Sequence, residues 1–393
     1  MSSTSTLARS RTGPAAGVRD RGRTAARRAG LALGAFAAAR GLGALALALA
    51  GRHFGKDPVA VLGTSWDAGW YTSIAAHGYG RTVVFPGGTV HSDLAFFPLY
   101  PGLMRLLCAV LPGVGPAGAG LLVSWTAAGA AAVGVYLIGE RLHGPRAGLL
   151  LALLWGLLPH SVILSLGYTE PLLTALAAWS LYALLTRHWT AAALLAAAAG
   201  LSRPSGIAVG AAVTVAAAQE IWLRRGRAPG PVWAAGALAP LGWGGYVLWV
   251  GRVRGDPLHG YFAVQRAWGS RFDFGLGALR SARHLMYARA ELASPMVLVI
   301  VAGSLLLAVL LLLDGAPLPL LVYAGVLLLI GLGGSGFFES KPRFLLPAFP
   351  LLLPLAAAMA KARPGVTVVV TAALAGLSYA YGTYLVLIAS VPP

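Results

Sequence analysis

Asp67 is the residue of this sequence whose type and surroundings best suit it to acid–base chemistry. It lies in a short aromatic stretch with Trp66, Trp70 and Tyr71. If the stretch is helical, Trp66, Trp70 and Ile74 share one face at a spacing of four residues. A carboxylate between such an apolar face and water is suited to accept a proton from a hydroxyl group. The alternative is an interfacial helix whose aspartate only faces water, since aromatic residues are common at membrane surfaces.

Three further polar residues each lie close to a proline: Asp93, His160 and Glu170. Proline fixes the backbone at turns and at helix starts. A carboxylate at a helix N-terminus is stabilised by the helix dipole, so Glu170 is either a helix cap or a second carboxylate that contacts a substrate. Asp93 and His160 have the same two interpretations, a structural role or contact with a substrate.

The composition indicates which elements must position these side chains. Of the 393 residues, 58% are hydrophobic and 11% are charged, whereas soluble domains have about 25% charged residues. This excludes an ordinary soluble enzyme, and the hydrophobicity excludes a disordered chain. Apolar runs of membrane-spanning length recur along the sequence, which predicts an all-α polytopic membrane protein. The net charge of +18 is then explained by membrane topology, and no nucleic-acid partner is expected.

We predict about 11 spans. They cover 29–50, 118–139, 147–165, 171–186, 189–201, 205–222, 231–250, 294–313, 318–335, 343–360 and 366–389. Two long connecting segments, 51–117 and 251–293, are rich in aromatic residues, glycine and proline, which is typical of ordered interfacial helices. Residues 1–28 hold seven arginines and are predicted to be a disordered basic tail, followed by one transmembrane domain over 29–393.

The distribution of basic residues predicts the orientation. If the basic tail is cytoplasmic, short inner loops hold the cluster Arg224, Arg225 and Arg227 and the pair Lys361 and Arg363, as the positive-inside rule requires. Both long segments then lie on the outer side. Eight of the 12 carboxylates, Asp67 among them, lie at or beyond that face.

Several other chemistries lack their sequence signals. Cys108 is the only cysteine, so neither a disulfide within the chain nor a cysteine metal site is expected. The histidines show no His-x-x-x-His pair, and the sequence contains no phosphate-binding Gly-rich loop and no nucleophile elbow. We therefore expect neither a metal nor a nucleotide cofactor.

Two motifs together resemble the PIG-V mannosyltransferase family. The first is Trp66-Asp67-x-x-Trp70-Tyr71-x-x-Ile74-Ala75-x-x-Gly78-Tyr79, and the second is Ala95-Phe96-Phe97-Pro98-Leu99-Tyr100-Pro101. Weaker similarities follow at Pro159-His160-Ser161, Tyr168-Thr169-Glu170, Ser202-Arg203-Pro204-Ser205-Gly206 and Phe262-Ala263-Val264-Gln265-Arg266-Ala267-Trp268-Gly269. Arg343 lies in a charged turn that is similar to one in several GT-C transferases.

This resemblance implies a GT-C-like helical bundle in a bacterial plasma membrane, with the active face outside the cytoplasm. It implies an inverting transfer of a sugar, mannose in this family, from a polyprenyl-phosphate donor to a glycan or glycolipid acceptor, without a metal. Asp67 matches the general base of the family. The implied substrate contacts are Trp66, Trp70, Tyr71, Asp93, His160, Glu170 and Gln265, and arginines suited to the lipid phosphate are Arg203, Arg266 and Arg343.

Two other functions remain open from the sequence. A transporter or flippase of lipid-linked sugars is also polytopic, but transporters usually bury ionisable groups near the middle of the membrane and often have duplicated halves. Here the carboxylates are predicted to cluster at one face. A non-catalytic scaffold related to the family is the third possibility, and the intact Asp67 argues against it.

Overall fold

The structure is a computed structural model that describes residues 14–85, 88–285, 287 and 291–391. It confirms an all-α polytopic membrane protein. The α-helices of the described residues are α1 (Pro14–His53), α2 (Pro58–Thr64), α3 (Asp67–His77), α4 (Leu99–Val110), α5 (Pro116–His143), α6 (Pro145–Gly156), α7 (Glu170–Leu185), α8 (Trp189–Gly200), α9 (Ile207–Leu223), α10 (Gly230–Leu238), α11 (Leu241–Val253), α12 (Gly260–Ala267), α13 (Leu276–His284), α14 (Ala293–Leu313), α15 (Leu318–Gly333), α16 (Lys341–Leu345), α17 (Leu353–Lys361) and α18 (Pro364–Leu387).

Four short strands form two antiparallel pairs. Strands β1 (Thr82–Val84) and β2 (Val90–Ser92) pair within the first long segment. Strand β3 (Arg271–Phe272), in the second long segment, pairs with β4 (Gly334–Ser335), which follows α15 directly. This second pair fixes the 251–293 segment against the end of α15. Each long segment therefore contributes a paired strand to the described part of the fold.

Within the described residues, five helices are long and apolar enough to cross a membrane: α1 from Arg23, α5, α9 with the turn before it, α14 and α18. Five shorter apolar helices of 10–17 residues are α4, α6, α7, α8 and α15. At about 1.5 Å per residue these shorter helices do not reach across about 30 Å of hydrocarbon by themselves. Most of the predicted apolar segments are therefore helical over much of their length, but several of the helices are too short to be complete spans.

Three predicted spans are broken helices. The 147–165 segment is α-helical only to Gly156 and then turns into a short 3₁₀ helix at Ser161–Ser165. The 343–360 segment bends by 74° between Phe338–Leu345 and Phe349–Lys361, and the 231–250 segment divides into α10 and α11 at Pro240. Proline removes a main-chain donor and clashes with the preceding helical turn. The bend after α16 turns that helix and its charged residues toward the first long segment.

Helix α5 is the centre of the bundle and packs against α1, α4, α6 and α7. Glycines allow its close approach to α6, because a Cβ atom at Gly139 would lie 2.7 Å from the Cα of Gly148. Arg40 of α1 is buried near the C-terminal end of α6 and donates hydrogen bonds to Ser165 Oγ at 2.7 Å and to Gly156 O at 3.3 Å. Arg40 therefore contacts neutral acceptors of neighbouring elements, and no carboxylate of the described residues forms an ion pair with it.

Helix α1 begins at Pro14, inside the basic segment for which the sequence predicts disorder. Residues 14–28 are helical here because alanine and arginine are strong helix formers and continue directly into the first apolar run. The part of the tail before Pro14 lies outside the described residues. The boundary between tail and transmembrane domain is therefore not marked by the start of a helix.

Candidate active site

Asp67 is the first residue of α3 and contacts Arg343 of α16. The preceding Trp66 has a φ of 54°, which is uncommon for a bulky side chain and typical of constrained sites. The Oδ2 atom of Asp67 accepts a hydrogen bond from Nη2 of Arg343 at 2.7 Å. The Asp67 side chain is still 31% exposed, so one side of the carboxylate remains accessible to a ligand.

Arg343 also contacts a second carboxylate. Its Nε lies 3.1 Å from Oε1 of Glu170, the first residue of α7, and Nη1 of Arg203 lies 2.5 Å from the same oxygen. Glu170 is almost completely buried, and each arginine side chain is 8% exposed. Burying isolated charges is costly, but this network pairs two carboxylates with two guanidinium groups. Glu170 thus anchors both arginines, beyond any helix-capping role.

Aromatic rings hold the two arginines from the other side. The guanidinium group of Arg343 lies 5.1 Å from the ring centre of Tyr168 and 5.3 Å from that of Phe344. Arg203 lies 5.8 Å from Phe344. Cation–π contacts of this kind are attractive and restrict the planar guanidinium group. The arginine positions are therefore fixed by packing as well as by charge.

The aromatic residues of α3 form the adjoining wall. Trp70 stacks on Phe96 at 5.7 Å between ring centres and meets Trp268 edge-on at 5.0 Å. Tyr71 packs edge-on against Phe96 and Tyr100 at 5.0 Å each. Burial raises the pKa of Tyr71, so its hydroxyl stays protonated near neutral pH. The two sequence motifs that resemble one family thus pack directly against each other.

A cavity of about 200 Å³ opens onto these groups. Its polar and aromatic lining includes Asp67, Tyr71, Phe96, Arg203, Gln265, Trp268, Lys341 and Arg343. In the described part of the chain, the charged lining consists of three cationic side chains and one carboxylate, with Glu170 behind it. This distribution favours an anionic group beside a proton acceptor.

Gln265 is held in the cavity wall by two contacts. Its Nε2 donates to Tyr261 Oη at 2.8 Å and to Ala95 O at 3.4 Å. Its neighbour Trp268 donates from Nε1 to Ser92 O at 2.9 Å. Helix α12, from the second long segment, is therefore attached to residues 92–95 of the first long segment. Together they close one side of the cavity.

Six residues expected to contact a substrate do not line this cavity: Trp66, Trp70, Asp93, His160, Glu170 and Arg266. The indole of Trp66 is 47% exposed, Trp70 supports the wall from behind, and Arg266 is exposed on α12. Asp93 is buried, and its Oδ2 accepts main-chain N–H groups of Gly80 at 2.9 Å and Arg81 at 2.8 Å. This contact gives Asp93 a structural role, because it fixes the turn between α3 and β1.

His160 lies apart from the cavity. It is 2% exposed, packs 5.2 Å from the ring centre of Tyr381, and has no hydrogen-bond partner on either ring nitrogen among the described residues. It lines a separate apolar cavity of about 220 Å³ together with Pro342 and Leu345 of α16. Helix α16 therefore stands between His160 and the Asp67 cavity.

Sequence reasoning missed Lys341 and Trp268 as lining residues. Lys341 lies two residues before Arg343 in the same charged turn. The argument that selected Arg343 from this turn could therefore have selected Lys341 as well. Trp268 ends the segment that holds Gln265 and Arg266. Within the residues that the structure describes, no group of three or more His, Cys, Asp or Glu side chains is arranged to hold a metal ion.

The chain shows a distant structural likeness to a known protein and no match by sequence. No protein-family model and no curated protein matches the chain. Among solved structures, the chain is similar to an oligosaccharyltransferase from Archaeoglobus fulgidus, with 15% sequence identity and a TM-score of 0.44. The match covers 82% of this chain and 48% of that protein, so the chain spans about half its length. A likeness this distant carries no functional argument.

Proposed function

We propose that the protein is a membrane glycosyltransferase of the GT-C type. It transfers a sugar, mannose on the family resemblance, from a polyprenyl-phosphate donor to a hydroxyl of a lipid-linked or envelope glycoconjugate. The observation that carries the proposal is the Asp67 carboxylate, partly exposed in a cavity whose other charged groups are Arg203, Lys341 and Arg343 in the described chain. A proton acceptor beside a cationic surface suits a reaction in which a phosphate leaves.

The reaction is a single displacement. Asp67 accepts the proton of the acceptor hydroxyl, and that oxygen forms a bond to the anomeric carbon. The bond between the anomeric carbon and the phosphate oxygen breaks, and its electron pair leaves with the polyprenyl phosphate. The configuration at the anomeric carbon is inverted. A phosphate needs little acid assistance to leave, so one carboxylate is enough, unlike glycoside hydrolysis, which normally uses two.

Arg343 forms an ion pair with Asp67, so a bound sugar donor would also free the Asp67 carboxylate. The donor phosphate is an anion that can take the guanidinium donors of Arg343, preferably in bidentate geometry. The hydrogen bond of Arg343 then goes to the phosphate, and the Oδ2 atom of Asp67 is left open to the acceptor hydroxyl. Glu170 holds Arg343 and Arg203 in place during this exchange.

The cavity is proposed to face the outside of a bacterial plasma membrane, with the N-terminus in the cytoplasm. The support is the inner placement of the Arg224–Arg227 cluster under the positive-inside rule and the position of the cavity between the two long segments. A flippase of lipid-linked sugars would use the same ligand but would move it without breaking the glycosidic phosphate bond.

The test uses the purified protein in nanodiscs with radiolabelled sugars. Polyprenyl-phosphate mannose should transfer label to an envelope glycolipid extract, whereas a nucleotide-activated mannose should not. Mass spectrometry of envelope glycolipids from a deletion strain should show one species lacking a hexose. In proteoliposomes, movement of the donor from one leaflet to the other without any transfer of label would overturn the proposal in favour of the flippase.

A further inference from the structure

A second cavity adjoins the candidate active site and is almost wholly apolar. It has a volume of about 550 Å³ and lies between α13, α14 and α15. Its walls include Leu279 of α13, Val301 of α14, and Gly325 and Leu329 of α15. Only 11% of the most apolar stretch of α14 is buried inside the protein, and Leu279 and Leu329 in the groove walls are 67% and 57% exposed. Apolar side chains exposed to this extent favour a membrane-facing position for this α14–α15 groove.

Lys341 lines both the groove and the active-site cavity. Its side chain is buried, and Nζ donates hydrogen bonds to Gly331 O at 2.8 Å and to Gly334 O at 2.7 Å. No carboxylate of the described residues lies within 4.0 Å of it. Asp273 acts on its charge from farther away, and the oxygens of Asp273 accept N–H groups of Gly275 and Gly277. The groove thus ends at the Lys341 ammonium group, which donates its hydrogen bonds to neutral main-chain carbonyl oxygens.

The groove and the charged groups beyond it follow one another in an order that matches the parts of a lipid-linked sugar. An apolar groove open to the membrane leads to a buried ammonium group, then to Arg343, and then to the Asp67 carboxylate. A single hydrocarbon chain that ends in a phosphate bearing a sugar presents the same order of chemical groups. A phospholipid with two acyl chains fits less well, because its second chain would have to leave the groove.

We propose that the α14–α15 groove binds the hydrocarbon chain of the donor and that Lys341 binds the donor phosphate where the two cavities meet. This inference rests on the proposed function and assigns Lys341 a part in it. The donor phosphate carries one negative charge as a diester and gains a second when the sugar leaves. A fixed ammonium group beside it therefore stabilises the transition state more than the bound donor.

Substitution of Gly325 by leucine can fill the groove without disturbing the protein around it. A Cβ atom at Gly325 would have no neighbour within 4 Å, so leucine there occupies the groove without a clash with the protein. Gly376 of α18 is an equally exposed helical glycine with no neighbour within 4 Å, and it lies outside both cavities. Both substitutions also favour helix formation by a similar amount, which makes Gly376→Leu a matched control.

The experiment uses a polyprenyl phosphate without sugar that carries a photoreactive diazirine in its chain, added to the full-length protein in nanodiscs. Cross-links should map to α14 and α15 of the wild type. Gly325→Leu should reduce them at least about tenfold, which corresponds to about 1.4 kcal/mol, and Gly376→Leu should not change them. Lys341→Gln should weaken capture of the phosphate probe but not of the matching polyprenol.

Three results would overturn the inference: cross-links elsewhere, equal capture in Gly325→Leu, or equal capture of a two-chain phosphatidic acid probe. The positions of the cross-links in the wild type show whether the groove holds the lipid chain, even if a variant is unstable. Groove cross-links in a wild type that transfers no sugar from any donor would contradict the proposed function but support phosphate-lipid binding in the groove. Sugar transfer with cross-links outside the groove would contradict the groove alone.

Discussion

Arg343 donates a hydrogen bond to Asp67 at 2.7 Å across 276 residues of sequence. The pair places a proton acceptor and a phosphate-binding group in direct contact. In the proposed reaction, the donor phosphate competes with Asp67 for the guanidinium group. The donor should therefore bind before the acceptor, because the Oδ2 atom of Asp67 is open to the acceptor hydroxyl only after Arg343 has moved its hydrogen bond to the phosphate.

Substitution of Arg343 tests this exchange. Arg343→Lys keeps the positive charge but cannot bridge Asp67 and Glu170 with a planar fork. We expect the KM for the donor to rise about tenfold or more, since bidentate contacts to phosphate are lost, and the KM for the acceptor to change little. Steady-state kinetics measure both constants. Arg227→Lys, in an exposed loop at the other end of the bundle, is the control, and an equal effect there would argue against the exchange.

Glu170 is expected to contribute mainly to stability and to arginine position. Glu170→Gln leaves Arg203 and Arg343 with less compensation in a buried site, which typically costs about 3–5 kcal/mol. The melting temperature in detergent should fall clearly. Glu220→Gln removes a pair of contacts to the exposed Arg187 and Arg224, where such pairs contribute about 0–1 kcal/mol. Similar losses in the two variants would show that the buried network is not a stabilising unit.

The membrane orientation is tested by single cysteines in a Cys108→Ser background. Gly88 and Gly226 have similar left-handed φ values of +82° and +80° and are both exposed, so Gly88→Cys and Gly226→Cys introduce comparable strain. In intact cells, an impermeant thiol reagent should label position 88 but not position 226. The opposite pattern would place the cavity on the cytoplasmic side.

Much of the fold could be predicted from the sequence because apolar periodicity and prolines act locally. Helices α5, α8 and α14 lie close to their predicted limits. The breaks after Gly156, at Pro240 and after α16 were missed because proline is tolerated in membrane helices and a hydrophobic run does not reveal whether the helix bends.

The sequence pointed to some of the residues that line the cavity but to none of their contacts. The motif region identified Asp67 and Tyr71, and the expected phosphate chemistry identified Arg203 and Arg343. No spacing rule indicates that Arg343 pairs with Asp67 or that Glu170 lies behind both arginines, because those contacts arise from the tertiary packing of α3, α7 and α16. Asp93 was predicted to contact a substrate, but its carboxylate accepts the main-chain N–H groups of Gly80 and Arg81. The sequence does not show that these groups lie close to it in the fold.

The central claim is that Asp67 accepts the acceptor proton, and transfer of labelled mannose by Asp67→Asn tests it most directly. Asparagine has nearly the same shape but cannot take the proton at neutral pH, so transfer should fall by at least about a hundredfold, the usual size of a general-base contribution. Expression and thermal stability should stay near those of the wild type. Asp256→Asn, at an exposed turn, should transfer normally. Wild-type transfer by Asp67→Asn would contradict the account.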